Sequence, residues 1–186
     1  MQTENEGAHL VGLNALLLNS GRSASYRRAG IHRYISGLLP HLQVADSRLT
    51  YTAFAGPAWE NVRNGMHAVH VPETLASRPA ARVLWEHLLL PWLCVQERVR
   101  LLHAMAFVSP VLTPVPTVVT VYDLSFLRFP GRFRPANRIY LSLFTRLSCR
   151  RAQRVIAISE HTRKDVVELL GVSRKRVDVV YPGLDS

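Results

Sequence analysis

One carboxylate in the middle of the chain is the residue best placed to do chemistry. The segment 117–127, TVVTVYDLSFL, begins with β-branched residues typical of a buried strand and turns polar at Tyr122 and Asp123. Asp123 is the only acidic residue between Arg98 and Ser159, a span that holds ten arginines. Because ligands of open α/β sheets bind at the carboxyl ends of strands, Asp123 is a candidate functional group. The alternative is that it caps the next turn or forms a surface ion pair.

A second candidate site lies near the amino terminus. Segment 9–18 predicts a strand, 19–30 a loop rich in Gly, Ser and Arg, and the apolar residues from Ile31 to Leu42 fall on one helix face. Gly30 at the start of that helix would let an anion approach backbone N–H groups, with Arg33 adding charge. The segment contains no GxGxxG or P-loop pattern, so an exposed mobile loop is the alternative.

The composition predicts one globular domain with an anionic partner. Of the 186 residues, 48% are apolar and 19% charged, and the net charge is +10. A charge of this sign attracts phosphates, nucleic acid or an anionic membrane surface. Cys94 and Cys149 predict buried free thiols in a reducing cytoplasm. Residues 1–8 predict a disordered tail and 9–186 the domain; we find no signal peptide, no membrane-spanning run and no metal-ligand spacing.

The elements that would position these residues alternate along the chain. Strands are predicted at 9–18, 49–55, 66–71, 101–107, the start of 117–127, 154–158 and 177–181, and helices at 31–42, 79–100, 137–152 and 160–170. Pro40 should kink or end the first helix, and Pro91 should interrupt the second. Ser159 predicts an N-cap, and Gly171 ends the last helix. This order predicts an α/β fold with a mostly parallel sheet of about seven strands and helices on both faces.

A basic helix face offers a third kind of site. The helix 137–152 presents Arg134, Arg138 and Arg146 opposite its apolar face without an acidic residue, and the preceding loop adds Arg128 and Arg132. Such a face suits phosphates or an anionic membrane surface, and the alternative is a solvated helix face. For nucleic acid we find no recognition motif, only charge.

Several segments together resemble one family. They are AGIHRYISGLLPHL, LLHAMAFVSPV, TVVTVYDLSFLRFP, RRAQRVIAISEHTRKDVVELLGV and RVDVVYPGLD, which cover most of residues 9–185. The chain resembles the N-terminal, acceptor-side domain of a retaining glycosyltransferase of the family 4 type (glycosyltransferase group 1). Such enzymes have the GT-B fold, in which two Rossmann-like domains face each other across a cleft. In them the YPG-x-D segment leads into the C-terminal, donor-binding domain; here it lies at 181–185, so the resemblance implies that the donor-binding domain is absent from this chain.

The resemblance also implies roles for single residues. It implies that Gly30 approaches the donor diphosphate and that His103 contacts the acceptor or the transferred sugar. Asp123 keeps the family position and would orient an acceptor hydroxyl, as the one catalytic candidate. Tyr122 stands where many relatives have histidine, and Met105 replaces another histidine. The substrate-binding candidates implied in this way are Gly30, Arg33, His103, Tyr122, Asp123, Ser159 and Glu160, with no metal and no cofactor beyond a nucleotide-sugar.

The function implied is that of the acceptor-binding half of a hexosyltransferase, inactive alone. It would transfer a sugar from a nucleotide-sugar, with retention, to a glycan or lipid-linked acceptor in the cytoplasm, with peripheral contact at the inner face of the membrane. Its partner would be the donor-binding domain, in cis or as a separate chain. A non-catalytic partner or regulatory subunit of a split enzyme is the first alternative, supported by Met105 and Tyr122. A basic nucleic-acid-binding domain is the second, supported by charge alone.

Overall fold

The computed structural model describes residues 9–18, 26–46, 48–56, 66–72 and 79–183. The tail predicted at 1–8 and most of the loop predicted at 19–30 lie outside the described residues.

The described strands form one sheet in which all neighbours are parallel. The strands are β1 (His9–Asn14), β2 (Leu49–Ala55), β3 (His67–His70), β4 (Leu101–Ala104), β5 (Thr117–Val121), β6 (Arg154–Ala157) and β7 (Val177–Val179). Their spatial order is β3-β2-β1-β4-β5-β6-β7, with Leu13 beside His103 and His103 beside Val118. The order reverses between β1 and β4, which is where an open α/β sheet leaves a crevice at its carboxyl edge. The predicted seven-stranded α/β fold is confirmed.

Helices connect these strands on both faces of the sheet. In the described residues they are α1 (Tyr26–Ala45), α2 (Pro79–Leu84), α3 (Leu90–Gln96), α4 (Ser125–Arg128), α5 (Pro135–Arg151) and α6 (Glu160–Leu170), with 3₁₀ turns at Pro130–Arg132 and Arg174–Arg176. The segment 128–135, predicted as a loop, therefore contains the end of α4 and a 3₁₀ turn. On one face, α1 buries Ile35 and Leu39 against Leu13 of β1. On the other, α3, α5 and α6 bury residues such as Cys94, Cys149 and Val166.

The two prolines act differently from one another. Helix α1 does not end at Pro40 but continues to Ala45, although Pro40 has no N–H to bond to the carbonyl one turn earlier. Around Pro91 a π-helical turn at Trp85–Leu89 joins α2 to α3. A wider turn before Pro91 is a way to relieve the clash between the proline ring and the carbonyl one turn earlier. We refer to the continuous segment 79–96 as the long helix.

Both predicted caps of α6 are confirmed. The side chain of Ser159 accepts a hydrogen bond from the backbone N–H of Thr162, and Gly171 adopts a left-handed φ of 70°. These caps satisfy backbone groups that the helix itself leaves unpaired.

Candidate functional site

An open cleft of about 1450 Å³ lies at the carboxyl edge of the sheet, between α1 and α5. Its floor is formed where β5, β6 and β7 end, and its walls come from α1, Arg82 of the long helix and the segment 132–141. Four of the predicted site residues line it: Gly30, Arg33, Tyr122 and Asp123. His103, Ser159 and Glu160 are not among the lining residues.

Asp123 presents its carboxylate at the surface of the cleft. Its Oδ1 accepts hydrogen bonds from the backbone N–H of Ser125, at 2.8 Å, and from the Ser125 hydroxyl. This bond closes the turn that leads into α4, which is the turn-capping role considered as the alternative, while the N-cap position of α4 itself is Leu124. Oδ2 takes part in neither bond, and the residue is exposed, so the carboxylate can still accept a hydrogen bond from a ligand.

The adjacent Tyr122 is fixed by its own hydroxyl. The hydroxyl donates to the backbone carbonyl of Met105 at 2.8 Å, and burial raises the pKa of Tyr122 above its ordinary value. Its ring meets Tyr34 edge-on at 5.3 Å and Phe107 at 5.6 Å. Phe107 has a left-handed φ of 55°, a conformation that bulky residues rarely adopt and that tends to occur at functional sites. Tyr122 therefore supplies an apolar ring, while its hydroxyl is engaged within the protein.

His103 is partly buried on β4. Its Nε2 is 2.8 Å from the Thr120 hydroxyl on the neighbouring strand β5, and burial lowers its pKa to about 4. At neutral pH the ring is uncharged and already hydrogen-bonded. In the described structure it joins β4 to β5 below the cleft.

Ser159 and Glu160 hold the amino end of α6. Besides its cap bond, the hydroxyl of Ser159 lies 3.0 Å from that of Thr162, and Glu160 forms an ion pair with Arg163. The Thr162 hydroxyl donates to the buried carbonyl of Tyr122 at 2.9 Å. The S-E-x-T segment thereby fixes the backbone that carries Asp123.

Gly30 lies one turn inside α1 rather than at its start. Since only the first four N–H groups of a helix lack an internal acceptor, the N–H of Gly30 is not the free donor that the sequence predicted. The residue is exposed, and a Cβ added there would meet no atom within 4 Å. Arg33 follows one turn later on the same wall of the cleft.

Positive charge dominates the cleft. Arg33, Arg82, Arg132 and Arg134 line it, and among the described residues Asp123 is the only acidic one in the lining. Arg128 does not join them: its Nε lies 3.0 Å from both carboxylate oxygens of the buried Asp165. The sequence pattern predicted Arg132 and Arg134 as part of a basic helix face and its preceding loop, because a local pattern does not show that this loop folds back over the sheet edge.

A buried acid behind the cleft wall was missed. The side-chain amide of Asn14 donates to Oε1 of Glu86 at 3.4 Å, and the hydroxyl of Tyr140 donates to Oε2 at 3.2 Å. Burial raises the pKa of Glu86 above its ordinary value, and the nearby Arg82 opposes that shift. Arg82 and Tyr140 line the cleft. Glu86 therefore stabilises the position of two residues of the cleft wall without lining the cleft itself. The only sequence signal was an acidic residue within an otherwise apolar helix segment.

Other kinds of site receive no support in the described part of the chain. No group of three or more His, Cys, Asp or Glu side chains there could hold a metal ion. Nor is any helix in it both long enough and apolar enough to cross a bilayer. Cys94 and Cys149 are free and buried.

Solved structures share this fold. The crystal structure of Anabaena HepE (Alr3699) with UDP matches with a TM-score of 0.56 at 16% identity, covering 95% of this chain and 44% of that one. The same protein with UDP-glucose gives a TM-score of 0.55 at 17% identity, covering 95% and 44%. A glycosyltransferase from Rickettsia africae gives 0.53 at 12% identity, covering 97% and 44%. The chain thus spans less than half the length of these proteins, the extent of one domain of a GT-B enzyme.

Sequence comparison gives the family directly. No curated protein matches the chain, but the profile of Glycosyltransferase Family 4 matches residues 28–186. That match covers most of the chain and includes most of α1, the strands β2 to β7 and most of the residues that line the cleft. The chain therefore belongs to glycosyltransferase family 4.

Proposed function

We propose that the chain is the acceptor-binding half of a retaining glycosyltransferase. The observation that carries the proposal is the cleft itself, in which one exposed carboxylate, Asp123, is surrounded by aromatic rings and arginines. Each of these groups has a use in holding an acceptor.

A sugar acceptor suits this lining. Aromatic rings such as Tyr34, Phe107 and Phe133, which are partly exposed, give flat apolar surfaces for the faces of sugar rings. Arginines bind phosphate groups through parallel N–H donors, so Arg132 and Arg134 favour an acceptor that carries negative charge. Asp123 accepts a hydrogen bond from the acceptor hydroxyl and orients it.

The reaction needs a donor as well. The acceptor hydroxyl attacks the anomeric carbon of the donor sugar, the bond from that carbon to the diphosphate breaks, and the hydroxyl proton passes to the departing phosphate. In this scheme the chain supplies position and a dry cleft wall, and holding two reactants in the right geometry can lower the barrier by several kcal/mol. HepE was crystallised with UDP and UDP-glucose, and we assign donor binding to a second domain of the same kind.

In the full proposal the donor carries a hexosyl group and the acceptor is a glycan or a lipid-linked sugar. Transfer takes place at the inner face of the cytoplasmic membrane. The test is transfer from radiolabelled UDP- and GDP-hexoses to a bacterial lipid and glycan extract. We expect no product from the 186-residue chain alone, and product once a donor-binding domain is joined to it or added to it. Turnover by the pure chain alone would contradict the half-enzyme proposal.

A non-catalytic partner subunit is the second candidate. It is favoured by the engaged states of His103 and Tyr122, whose polar atoms are bound to Thr120 and to Met105. In that case the complex would transfer sugar equally well after Asp123→Asn, whereas the acceptor role requires a loss.

A further inference from the structure

The long helix and α5 lie side by side on one face of the sheet. The ring of His87 is 4.6 Å from that of Phe144, and the hydroxyl of Tyr140 donates to Glu86. These contacts join the inner sides of the two helices and leave their outer sides directed away from the sheet.

That outer surface is apolar. Six large apolar side chains on the two helices are each between 51% and 65% exposed: Leu84, Leu88, Trp92, Val95, Ile139 and Leu143. We call these six residues the outer helix face. Their spacings of three and four residues within each helix keep them on one side. A clustered apolar surface of this kind marks an interaction site, unlike single exposed leucines.

The two helices that carry the outer helix face have a net positive charge. The two helices carry Arg82, Arg138, Arg146, Arg150 and Arg151, and their single acidic residue, Glu86, is buried. Neither helix therefore exposes a carboxylate. Of their arginines, Arg82 lines the cleft, and Arg146, Arg150 and Arg151 also donate hydrogen bonds to the backbone carbonyls of Leu169, Leu170 and Val111. Contact between two copies of this surface would bring like charges together, which is unfavourable. An anionic lipid bilayer is the complementary partner, because its interior accepts the apolar side chains and its phosphates attract the arginines.

We propose that the outer helix face docks the protein on an anionic membrane, with Leu88 and Trp92 entering the interfacial region. Tryptophan is favoured at that depth, because its ring is apolar and its N–H reaches water or headgroups. This surface differs from the one expected around Arg128, Arg132 and Arg134: Arg128 is bound to Asp165, and the other two line the cleft.

The docking surface borders the cleft. Ile139 belongs to the outer helix face, and its neighbour Tyr140 lines the cleft. A membrane at this surface would lie beside the cleft wall, within reach of a lipid-linked acceptor. This last point rests on the proposed acceptor role, whereas docking on the bilayer does not.

The experiment is co-sedimentation of the 186-residue chain with two kinds of vesicle. One is pure phosphatidylcholine, and the other contains about 30% phosphatidylglycerol, which makes it anionic. The test variant is Leu88→Ser with Trp92→Ser. The matched control is Val44→Ser, which removes an 80% exposed apolar side chain from α1, on the opposite face of the sheet. Arg138→Gln tests the charge contribution, with Arg174→Gln, outside both helices, as its control. Circular dichroism and thermal unfolding verify that each variant keeps its fold.

We expect binding to the anionic vesicles and a loss of about tenfold or more in the partition constant for the double variant, since burial of even one large apolar side chain is worth about a decade. Val44→Ser should bind as the wild type does. Arg138→Gln should weaken binding a fewfold, and Arg174→Gln should not. Absence of vesicle binding, or undiminished binding of the double variant, would overturn the proposal. So would self-association through this face without lipid binding, detected by ultracentrifugation and abolished in the double variant. None of these results measures sugar transfer, so a failure of docking would remove the membrane location from the proposed function and leave the acceptor role to its own test.

Discussion

The pH dependence of stability tests whether His103 is a partly buried structural residue, as in this structure, or a substrate ligand, as the family resemblance implied. The family resemblance implied that it contacts the acceptor or the transferred sugar, whereas the Nε2 atom of its ring lies 2.8 Å from the Thr120 hydroxyl. Burial lowers its pKa from the ordinary 6.5 to about 4. At a pH between these two values the histidine is protonated in the unfolded chain but not in the folded chain. The free energy of unfolding therefore decreases as the pH falls from neutral.

The size of this loss follows from the two pKa values. Proton linkage lowers the free energy of unfolding by about 1 kcal/mol between pH 7 and 5.5, and by about 2.5 kcal/mol between pH 7 and 4.5. These are upper values, because the ring keeps partial contact with solvent, which screens its charge. In the variant His103→Gln this pH dependence is absent, so the difference in stability between wild type and variant should shrink as the pH falls.

Two measurements check the prediction. Urea unfolding of wild type and His103→Gln at pH 7, 5.5 and 4.5 gives the difference in unfolding free energy, with His70→Gln on an exposed strand position as the control. An NMR titration of the ring gives its pKa directly. A pKa near 6.5, with parallel stability curves for the two proteins, would refute the reasoning and return His103 to the list of solvent-facing substrate ligands.

Other changes have defined outcomes. Thr162→Val leaves the buried carbonyl of Tyr122 without its donor, so urea unfolding should show a loss of about 1–3 kcal/mol; an unchanged midpoint would contradict the anchoring role. Arg128→Met leaves the carboxylate of Asp165 buried without its main partner, and the melting temperature should fall by several degrees, about 2–4 °C per kcal/mol; no fall would mean that solvent reaches the carboxylate. Glu86 has a pKa raised by burial, so wild-type stability should decline with rising pH above its ordinary pKa relative to Glu86→Gln; equal slopes in urea unfolding would count against this.

Local patterns predicted the elements and caps of this fold well. The strand at Leu49–Ala55 has the predicted bounds, and the caps of α6 at Ser159 and Gly171 are as expected. These features depend on neighbours within four residues, which a sequence displays directly. Pro40 was predicted to kink or end the first helix; it does not end it, since α1 continues to Ala45.

Pairings across the fold could not be predicted in the same way. The hydroxyl of Tyr122 bonds to a carbonyl 17 residues away, and Arg128 to a carboxylate 37 residues away. Glu86 meets Asn14 across 72 residues. Each depends on which elements pack together, and that follows from the strand order. Asp123 was predicted to follow the end of a buried strand, and it does so after β5, because the end of a buried strand is a local pattern with a known place in the sheet.

The acceptor role of the cleft is tested most directly by Asp123→Asn in an enzyme completed with a donor-binding domain. The matched control is Asp178→Asn, an exposed carboxylate on β7 outside the cleft. Initial rates are measured with the acceptor and the donor each varied in turn. Since a hydrogen bond to a charged group contributes about 1.5–3 kcal/mol, kcat/KM for the acceptor should fall about 10- to 100-fold in Asp123→Asn while the KM for the donor is unchanged. Unaltered acceptor kinetics, or a change confined to the donor KM, would contradict the assignment of this cleft to the acceptor.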